Sequence, residues 1–260
     1  MNTIEYGQGA VNNTIGWGQG AKVGSSFSNL NSFSFDGIDD FFSGDTTYTQ
    51  LNTSQHFTIS FWIKYVGGGS PSGGAKNLFQ FSGDSYINAY LRDEASGNYL
   101  DFSVGSTANY VRSAVGSITD NTWHHICWTY DGTQTRFNRY NLFIDAVQSI
   151  SSDNGTTITS IATFPDFFIG KPFEPNTFMD EFSIFNQTLT STQVSEIYNS
   201  GVPNSLTNLP TAPSPVTWFR MGDDNASWDG SNWSMSDVVN SYSVTSANML
   251  EANKTTDVPT

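Results

Sequence analysis

The stretch from Thr122 to Gly201 constrains the fold more than any other part of the chain. Its pattern is typical of four short strands separated by turns and followed by one short helix. The strands are predicted at 123–132, 140–145, 166–170 and 178–185, where apolar, aromatic and β-branched residues cluster between turn-forming residues. Many short strands and a single helix predict an all-β protein.

The predicted helix after Leu189 has its own start and stop signals. Thr190 and Gln193 have the spacing of a capping box at the beginning of the helix. At its end, Gly201 is predicted to take the left-handed conformation, and Pro203 prevents continuation. Spacings of three and four residues predict one buried face, formed by Val194, Ile197 and Tyr198.

The clearest strand earlier in the chain is 56–65. Its apolar residues alternate with polar ones, so that Phe57, Ile59, Phe61 and Ile63 share one face. Trp62 lies on the opposite face, where it either fills a second packing layer or stacks on a sugar at an open sheet surface. We favour packing.

The order of these pieces resembles a laminin-G-like jelly roll of the concanavalin A-like lectin/glucanase superfamily. The resemblance covers most of residues 31–201, including the run Phe-Asp-Gly-Ile-Asp-Asp-Phe at 35–41. Ala146 departs from the pattern, because the family usually has Gly at that hairpin tip. The resemblance implies an antiparallel β-sandwich. The matching residues of the second half are Trp123, His125, Thr129, Tyr130, Asp131, Gly132, Asp145, Ile169, Gly170, Asp180, Glu181, Leu189 and Ile197.

The chain divides into an arm, a sandwich and a C-terminal segment. Residues 1–30 form a Gly-rich arm in which an aromatic residue followed by Gly-Gln-Gly-Ala occurs twice. Its large apolar residues Tyr6, Ile15 and Trp17 have few local partners, so the arm either docks on another subunit or protein or folds back over its own sandwich. Such arms resemble the N-termini of structural proteins of tailed bacteriophages.

The laminin-G-like sandwich is predicted at 31–202, and a Pro-rich linker with a C-terminal segment at 203–260. The run at 216–224 resembles the strand that usually opens a laminin-G-like domain. We therefore expect this segment to complete the sandwich in permuted order, or alternatively to dock on another molecule.

Composition excludes several classes of function. Asp and Glu number 24 against 10 Lys and Arg, which gives a net charge of −14 and argues against nucleic-acid binding. The first residues lack a basic region and an apolar run, so we expect no signal peptide, and no stretch is long enough to span a membrane. Cys127 is the only cysteine and is predicted to be a buried free thiol.

The resemblance also implies a calcium site at the rim of the sandwich. Acidic residues of the opening turn and of the closing strand often contribute, which points to Asp39, Asp40 and Asp180. The alternatives are that Asp36 serves turn formation and that Asp180 accepts backbone hydrogen bonds at a strand end.

No catalytic pattern is evident. Glycosidases of this superfamily carry alternating acidic residues on one strand, whereas Asp180 and Glu181 are adjacent and point to opposite faces. His56, His124 and His125 have no spacing typical of a nucleophile triad or a metal site. We expect the protein not to be an enzyme.

Together these features predict a structural or surface protein of a virion, as a capsid decoration or a component of a tail or fibre. Its partners would be other virion proteins or copies of itself, and it could bind host-surface glycans. The first alternative is a carbohydrate-binding adhesin module, and the weaker one is a glycoside hydrolase.

Overall fold

The computed structural model describes residues 27–67, 75–83, 86–105, 109–135, 138–150, 152–153, 161, 163–170 and 176–260. Within them the chain forms two sheets whose strands all pair antiparallel, as the sequence predicts for a jelly-roll sandwich. The predicted arm residues Tyr6, Ile15 and Trp17 lie outside the described residues.

Sheet A has the strand order β10-β9-β8-β3-β13-β1-β18, with β14 also paired to β13. Its strands are β1 (Ser32–Asp36), β3 (His56–Tyr65), β8 (Trp123–Asp131), β9 (Tyr140–Ile144), β10 (Val147–Gln148), β13 (Asn176–Phe185), β14 (Thr217–Phe219) and β18 (Lys254–Thr255).

Sheet B has the order β11-β7-β6-β5-β4-β12-β2-β17-β16-β15. Its strands are β2 (Phe41–Gly44), β4 (Ala75–Ser82), β5 (Ile87–Arg92), β6 (Tyr99–Val104), β7 (Tyr110–Arg112), β11 (Ser152–Asp153), β12 (Asp166–Gly170), β15 (Ala226–Trp228), β16 (Trp233–Ser236) and β17 (Ser243–Ala247).

The core between the sheets is built largely from Phe side chains. Phe61 of sheet A stacks on Phe182 at 5.8 Å between ring centroids, and Phe81 of sheet B stacks on Phe167 at 4.4 Å. Stacked and edge-on ring pairs of this kind stabilise a core beyond the area that they bury. Because successive side chains of a strand point to opposite faces of its sheet, each sheet has a second face that does not line this core.

Sheet A is covered on its second face by the helix α1 (Ser191–Tyr198). Trp62 is buried there against the ring of Tyr198, at 5.8 Å between centroids, so it packs in a second layer and is not an open stacking surface. Cys127 is buried in the same layer, as predicted. No helix in the described part of the chain is both long and apolar enough to cross a membrane.

The helix begins as predicted and ends differently. The capping box of Thr190 and Gln193 is present. The left-handed residue that closes α1 is Asn199, with φ of 47°, and a 3₁₀ turn (Asn199–Gly201) follows. Gly201 has the predicted positive φ, of 102°, but it lies two residues beyond the residue that ends the helix. Asn tolerates this conformation better than most residues because its short amide can bond locally, and its Nδ2 here donates to the Val202 carbonyl at 3.0 Å.

Three strands from the C-terminal segment pair with strands of the 31–202 region. β14 pairs with β13, β18 pairs with β1, and β17 pairs with β2. A 3₁₀ turn (Glu251–Asn253) leads into β18. Both sheets therefore contain strands from the two ends of the described chain.

Candidate functional site

The acidic residues of the β1–β2 turn lie together. The carboxylates of Asp36, Asp39 and Asp40 offer oxygen atoms within 4.8 Å of one another. Asp40 Oδ2 accepts hydrogen bonds from the Asp36 backbone amide at 3.0 Å and from Asn253 Nδ2 at 2.8 Å, and burial raises the pKa of Asp40 to about 6. Oxygen ligands suit Ca²⁺, but nothing beyond the cluster itself points to an ion. Calcium binding stays a prediction.

Asp180 lies apart from this cluster. It is four residues along β13 from Asn176, which pairs with Asp36, and this corresponds to about 13 Å. The carboxylate is fully buried and accepts from Asn29 Nδ2 at 2.9 Å and from the Glu181 backbone amide at 2.8 Å. Burial and the neighbouring Glu181 charge raise the pKa of Asp180 well above its usual value. The structure therefore does not bring Asp180 together with Asp39 and Asp40.

Glu181 forms a buried ion pair at a bulge in β13. Its carboxylate accepts from Trp218 Nε1 at 2.5 Å and from Arg220 Nε at 3.1 Å. Arg220 also donates to Asp224 at 2.7 Å and to the Ser28 carbonyl at 2.6 Å. Burial raises the pKa of Glu181 to about 7 even though the Arg220 charge acts in the opposite direction. These contacts join three segments that are far apart in the chain, around Ser28, Glu181 and Arg220, so we interpret the ion pair as structural.

A cavity of about 320 Å³ opens beside this ion pair. The Arg220 guanidinium at its wall contacts the carboxylates of Glu181, Asp223 and Asp224, so its charge is already compensated. The cavity thus presents no unpaired cation to a ligand. Its lining residues are Phe27, Ser28, Ser205, Thr207, Trp218, Arg220, Asp224 and Val238.

His124 has partners that the sequence spacing did not reveal. Its Nδ1 lies 2.7 Å from Asp145 Oδ2, and its Nε2 lies 2.9 Å from Thr119 Oγ1 and 3.2 Å from the Thr119 backbone amide. Because a carboxylate only accepts, Nδ1 carries the proton in the neutral ring and Nε2 is the acceptor. The Thr119 backbone amide and hydroxyl both approach the single lone pair of Nε2. We therefore interpret His124 as a structural residue that links the turn at Thr119 to the β9–β10 hairpin.

The outer face of sheet B, by contrast, is covered by polar and aromatic side chains over β4 to β7. We call this surface the polar face. One row across it joins Asn77, Tyr90, Asp101 and Arg112 through successive strand pairs. The outward residues of the polar face, with Tyr86 directly before β5, are Asn77, Gln80, Ser82, Tyr86, Asn88, Tyr90, Arg92, Tyr99, Asp101, Ser103, Tyr110 and Arg112.

Side chains on the polar face are linked to one another by hydrogen bonds. Asn88 Nδ2 donates to Tyr86 Oη at 2.6 Å, and the hydroxyls of Tyr86 and Tyr90 lie 2.8 Å apart. Asn77 Nδ2 donates to Gln80 Oε1 at 3.0 Å. The Oδ1 atoms of Asn77 and Asn88 are buried and have no hydrogen-bond partner. Unsatisfied buried acceptors are uncommon in folded proteins and call for an explanation.

An open pit of about 130 Å³ lies on this face. Arg112 donates to Asp101 from Nε at 2.6 Å and from Nη2 at 2.9 Å, and Arg92 donates from Nε at 2.9 Å. The Arg112 guanidinium lies over the rings of Tyr99 and Tyr110, at 4.7 Å and 5.3 Å from their centroids. The pit is lined by Tyr90, Arg92, Asp101, Ser103, Tyr110 and Arg112.

The sequence analysis did not identify the polar face, although β5 and β6 carry a signal for it. Asn88, Tyr90 and Arg92 alternate with apolar residues, and the same period of two places Asp101 and Ser103 outward on β6. That pattern marks a sheet face that is not buried in the core. Which polar side chains meet depends on the strand register, which local sequence does not give.

Comparisons with known proteins agree with this architecture. Residues 38–195 match a family model of the concanavalin A-like lectin/glucanases superfamily. A native heptameric SAP-like pentraxin from Limulus polyphemus aligns with a TM-score of 0.56 at 14% identity, over 84% of this chain and 94% of that chain. A search of curated protein sequences found no match.

A proposed carbohydrate binding protein from Bacteroides ovatus aligns with a TM-score of 0.59 at 16% identity, over 90% of this chain and 62% of that chain. At identities this low, the two alignments show a shared fold and nothing more. The family match spans more than half of the sequence and includes the whole of β3, β8 and β13. The chain belongs to the laminin-G-like family of the concanavalin A-like lectin/glucanases superfamily.

Proposed function

We propose that this protein binds carbohydrate, without catalysis, on the polar face of sheet B. The observation that carries the proposal is the open pit of about 130 Å³, where the half-buried rings of Tyr90 and Tyr110 lie beside the guanidinium of Arg92. A sugar has hydroxyl donors around its edge and C–H groups on its ring faces. Aromatic rings fit the ring faces, and polar side chains such as guanidinium and hydroxyl groups fit the sugar hydroxyls.

The charges on this face support a non-catalytic role. Among the outward residues of β4 to β7, Asp101 is the sole carboxylate, and it is bound to both Arg92 and Arg112. Hydrolysis of a glycosidic bond usually requires two carboxyl groups flanking the bond, one of them as a proton donor. A single carboxylate bound to two guanidiniums differs from that arrangement, which favours binding over hydrolysis.

Binding to a glycan array, followed by calorimetry with the best glycan, tests this proposal. We expect Tyr90→Ala to weaken binding roughly tenfold, which corresponds to about 1.4 kcal/mol. Ser227→Ala is the matched control, because Ser227 is an exposed outward residue of β15 on the same sheet, far from the polar face in strand order. Absence of binding to any glycan, or equal losses in both variants, would refute the proposal. Release of reducing sugar would favour the hydrolase alternative.

We further propose, from the sequence, that the protein acts on the surface of a virion. The supporting feature is the repeated aromatic-Gly-Gln-Gly-Ala motif of the arm, around Tyr6 and Trp17. Labelling of purified particles with an antibody against residues 27–260 tests this role, and particles that carry no label would contradict it.

A further inference from the structure

A single buried carboxylate on the polar face holds two guanidinium groups. Arg112 donates to both oxygens of Asp101, and Arg92 donates to Oδ2. The Asp101 side chain is 6% exposed, whereas the side chains of Arg92 and Arg112 are each 32% exposed. Two positive charges therefore share one negative charge, and the positive groups are the parts that solvent or a ligand can reach.

Two guanidiniums side by side contrast with the whole chain, whose net charge is −14. Two acidic residues follow β5, and each already has a partner. The Asp93 carboxylate accepts from Tyr65 Oη at 2.7 Å, and the Glu94 carboxylate accepts from Tyr99 Oη at 2.6 Å. Neither of these carboxylates pairs with Arg92, whose ion-pair partner among the described residues is Asp101.

Arg92 has donors that its contact with Asp101 does not use. It uses Nε for that contact, and its Nη1 and Nη2 make no hydrogen bond to any described residue. The neighbouring Arg112 is held in place by its two-point contact with Asp101 and by the rings of Tyr99 and Tyr110. A fixed guanidinium fork matches the two oxygens of a carboxylate with two parallel hydrogen bonds.

We propose that Arg92, positioned by Asp101 and Arg112, binds the carboxylate of an acidic sugar, such as a uronic or sialic acid unit. This inference rests on the proposed function, because it takes the polar face as the glycan site. Tyr90 and Tyr110 border the same pit of about 130 Å³, so a sugar ring lies against them while its carboxylate reaches Arg92. The ligand class is then acidic glycans rather than glycans in general.

Matched ligand pairs test this assignment. Calorimetry compares sialyllactose with lactose, and an oligogalacturonate with its methyl ester. We expect the wild-type protein to bind the free acid of a pair about tenfold tighter than the neutral form. Arg92→Gln should bring that ratio close to one. Because Arg112 still pairs with Asp101 in this variant, no buried charge is left alone and folding should be retained.

Two further variants separate local recognition from general charge effects. Lys254→Gln removes one positive charge from β18 in sheet A and should keep the tenfold ratio. Arg92→Lys keeps the charge but not the fork, so its ratio should lie between those of the wild type and Arg92→Gln. Sulfated lactose tests the choice of anion. Binding of the sulfated form as tight as that of the sialylated form would overturn the assignment to a carboxylate.

The outcomes distinguish this inference from the proposed function. Equal affinity for the acid and neutral forms, or an unchanged ratio in Arg92→Gln, overturns the acidic-sugar assignment and leaves glycan binding standing. Absence of binding to either form overturns both. If the ratio of affinities for the acid and neutral forms also falls to about one in Lys254→Gln, the preference is a general charge effect. That result would also overturn the assignment to Arg92.

Discussion

Two neighbouring residues at the tip of the β9–β10 hairpin have left-handed backbone conformations, with φ of 53° at Asp145 and 62° at Ala146. A residue with a β-carbon loses roughly 1 kcal/mol in this region compared with Gly. We therefore expect Ala146→Gly to raise the free energy of unfolding by about 1 kcal/mol, measured by urea denaturation. Ala114→Gly is the control, because Ala114 is exposed and not left-handed, and it should lower stability slightly. Equal effects of the two substitutions would contradict this account.

His125 makes folding sensitive to acid. The ring is buried between Trp62 and Tyr198, its Nε2 lies 2.8 Å from Ser60 Oγ, and burial lowers the pKa of His125 from 6.5 to about 4. The unfolded chain takes up a proton below about pH 6.5, whereas the folded ring stays neutral down to about pH 4. The free energy of unfolding should therefore fall by up to about 3 kcal/mol between these values, measured by urea titrations at several pH values.

His125→Gln isolates this contribution. The variant should be less stable at pH 7, because it loses the ring contacts with Trp62 and Tyr198, but its stability should depend less on pH below 6.5. Glu181 acts in the opposite direction, since its raised pKa makes the folded state lose stability as the pH rises from about 4.5 to about 7. Subtracting the free energy of unfolding of the variant from that of the wild type at each pH removes the Glu181 contribution, which both proteins share. Parallel pH profiles for the two proteins would show that His125 does not titrate as described.

At the scale of elements, α1 depends on its first turn. Thr190 Oγ1 accepts from the Gln193 backbone amide at 3.3 Å, and Gln193 Oε1 accepts from the Thr190 amide at 2.9 Å. Thr190→Ala should lower the free energy of unfolding by about 1 kcal/mol, and Thr190→Ser should restore most of it. Thr192→Ala, at the exposed second position of the helix, should leave stability unchanged or raise it slightly. Thermal melts of the three variants measure these effects, and a loss as large in Thr192→Ala would argue against the capping interpretation.

The calcium prediction now concerns only the β1–β2 turn, because Asp180 lies apart from it. If the carboxylates of Asp36, Asp39 and Asp40 hold Ca²⁺, millimolar calcium should raise the melting temperature above that measured with a chelator, because a ligand that binds only the folded state stabilises it. Asp39→Asn should remove the shift. Asp166→Asn is a control at another exposed acidic position of sheet B. An identical melting temperature with calcium and with chelator would rule out a calcium site in this turn.

The elements show which features local sequence can specify. The alternation in 56–65 and the capping signals of α1 are properties of adjacent residues, and both predictions were confirmed. The end of α1 was misplaced because Asn199 and Gly201 both have positive φ, and local sequence did not show that Asn199 ends the helix first. The polar face was missed for a different reason. Arg92 and Arg112 meet at Asp101 only through the register of three strands.

At the scale of the whole molecule, sheet formation joins residues that are far apart in the chain. β18 lies beside β1, and β17 lies beside β2, so the last strands complete both sheets next to the first ones. Phe219 and Val244 from the C-terminal segment are fully buried in the core. The resemblance of 216–224 to an opening strand was a local observation, whereas its pairing with β13 depends on the tertiary fold.

Cleavage of the Pro-rich connection should therefore not separate the two parts of the chain. Each fully buried large apolar side chain contributes about 1.5–3 kcal/mol, and separation would expose Phe219, Met235 and Val244 to water. We expect a chain with a protease site inserted between the exposed Thr207 and Asn208 to elute from size-exclusion chromatography as one species before and after cleavage.

Urea should then release the two fragments together with unfolding of the core, because the strands that close both sheets come from the smaller fragment. A chain that ends before Val216 should fail to fold, since the lost side chains and strand pairs remove a free energy comparable to the roughly 5–15 kcal/mol that stabilises a whole domain. If the cleaved fragments separate in native buffer, or the shortened chain melts cooperatively, the C-terminal strands are an accessory layer and the sandwich is complete without them.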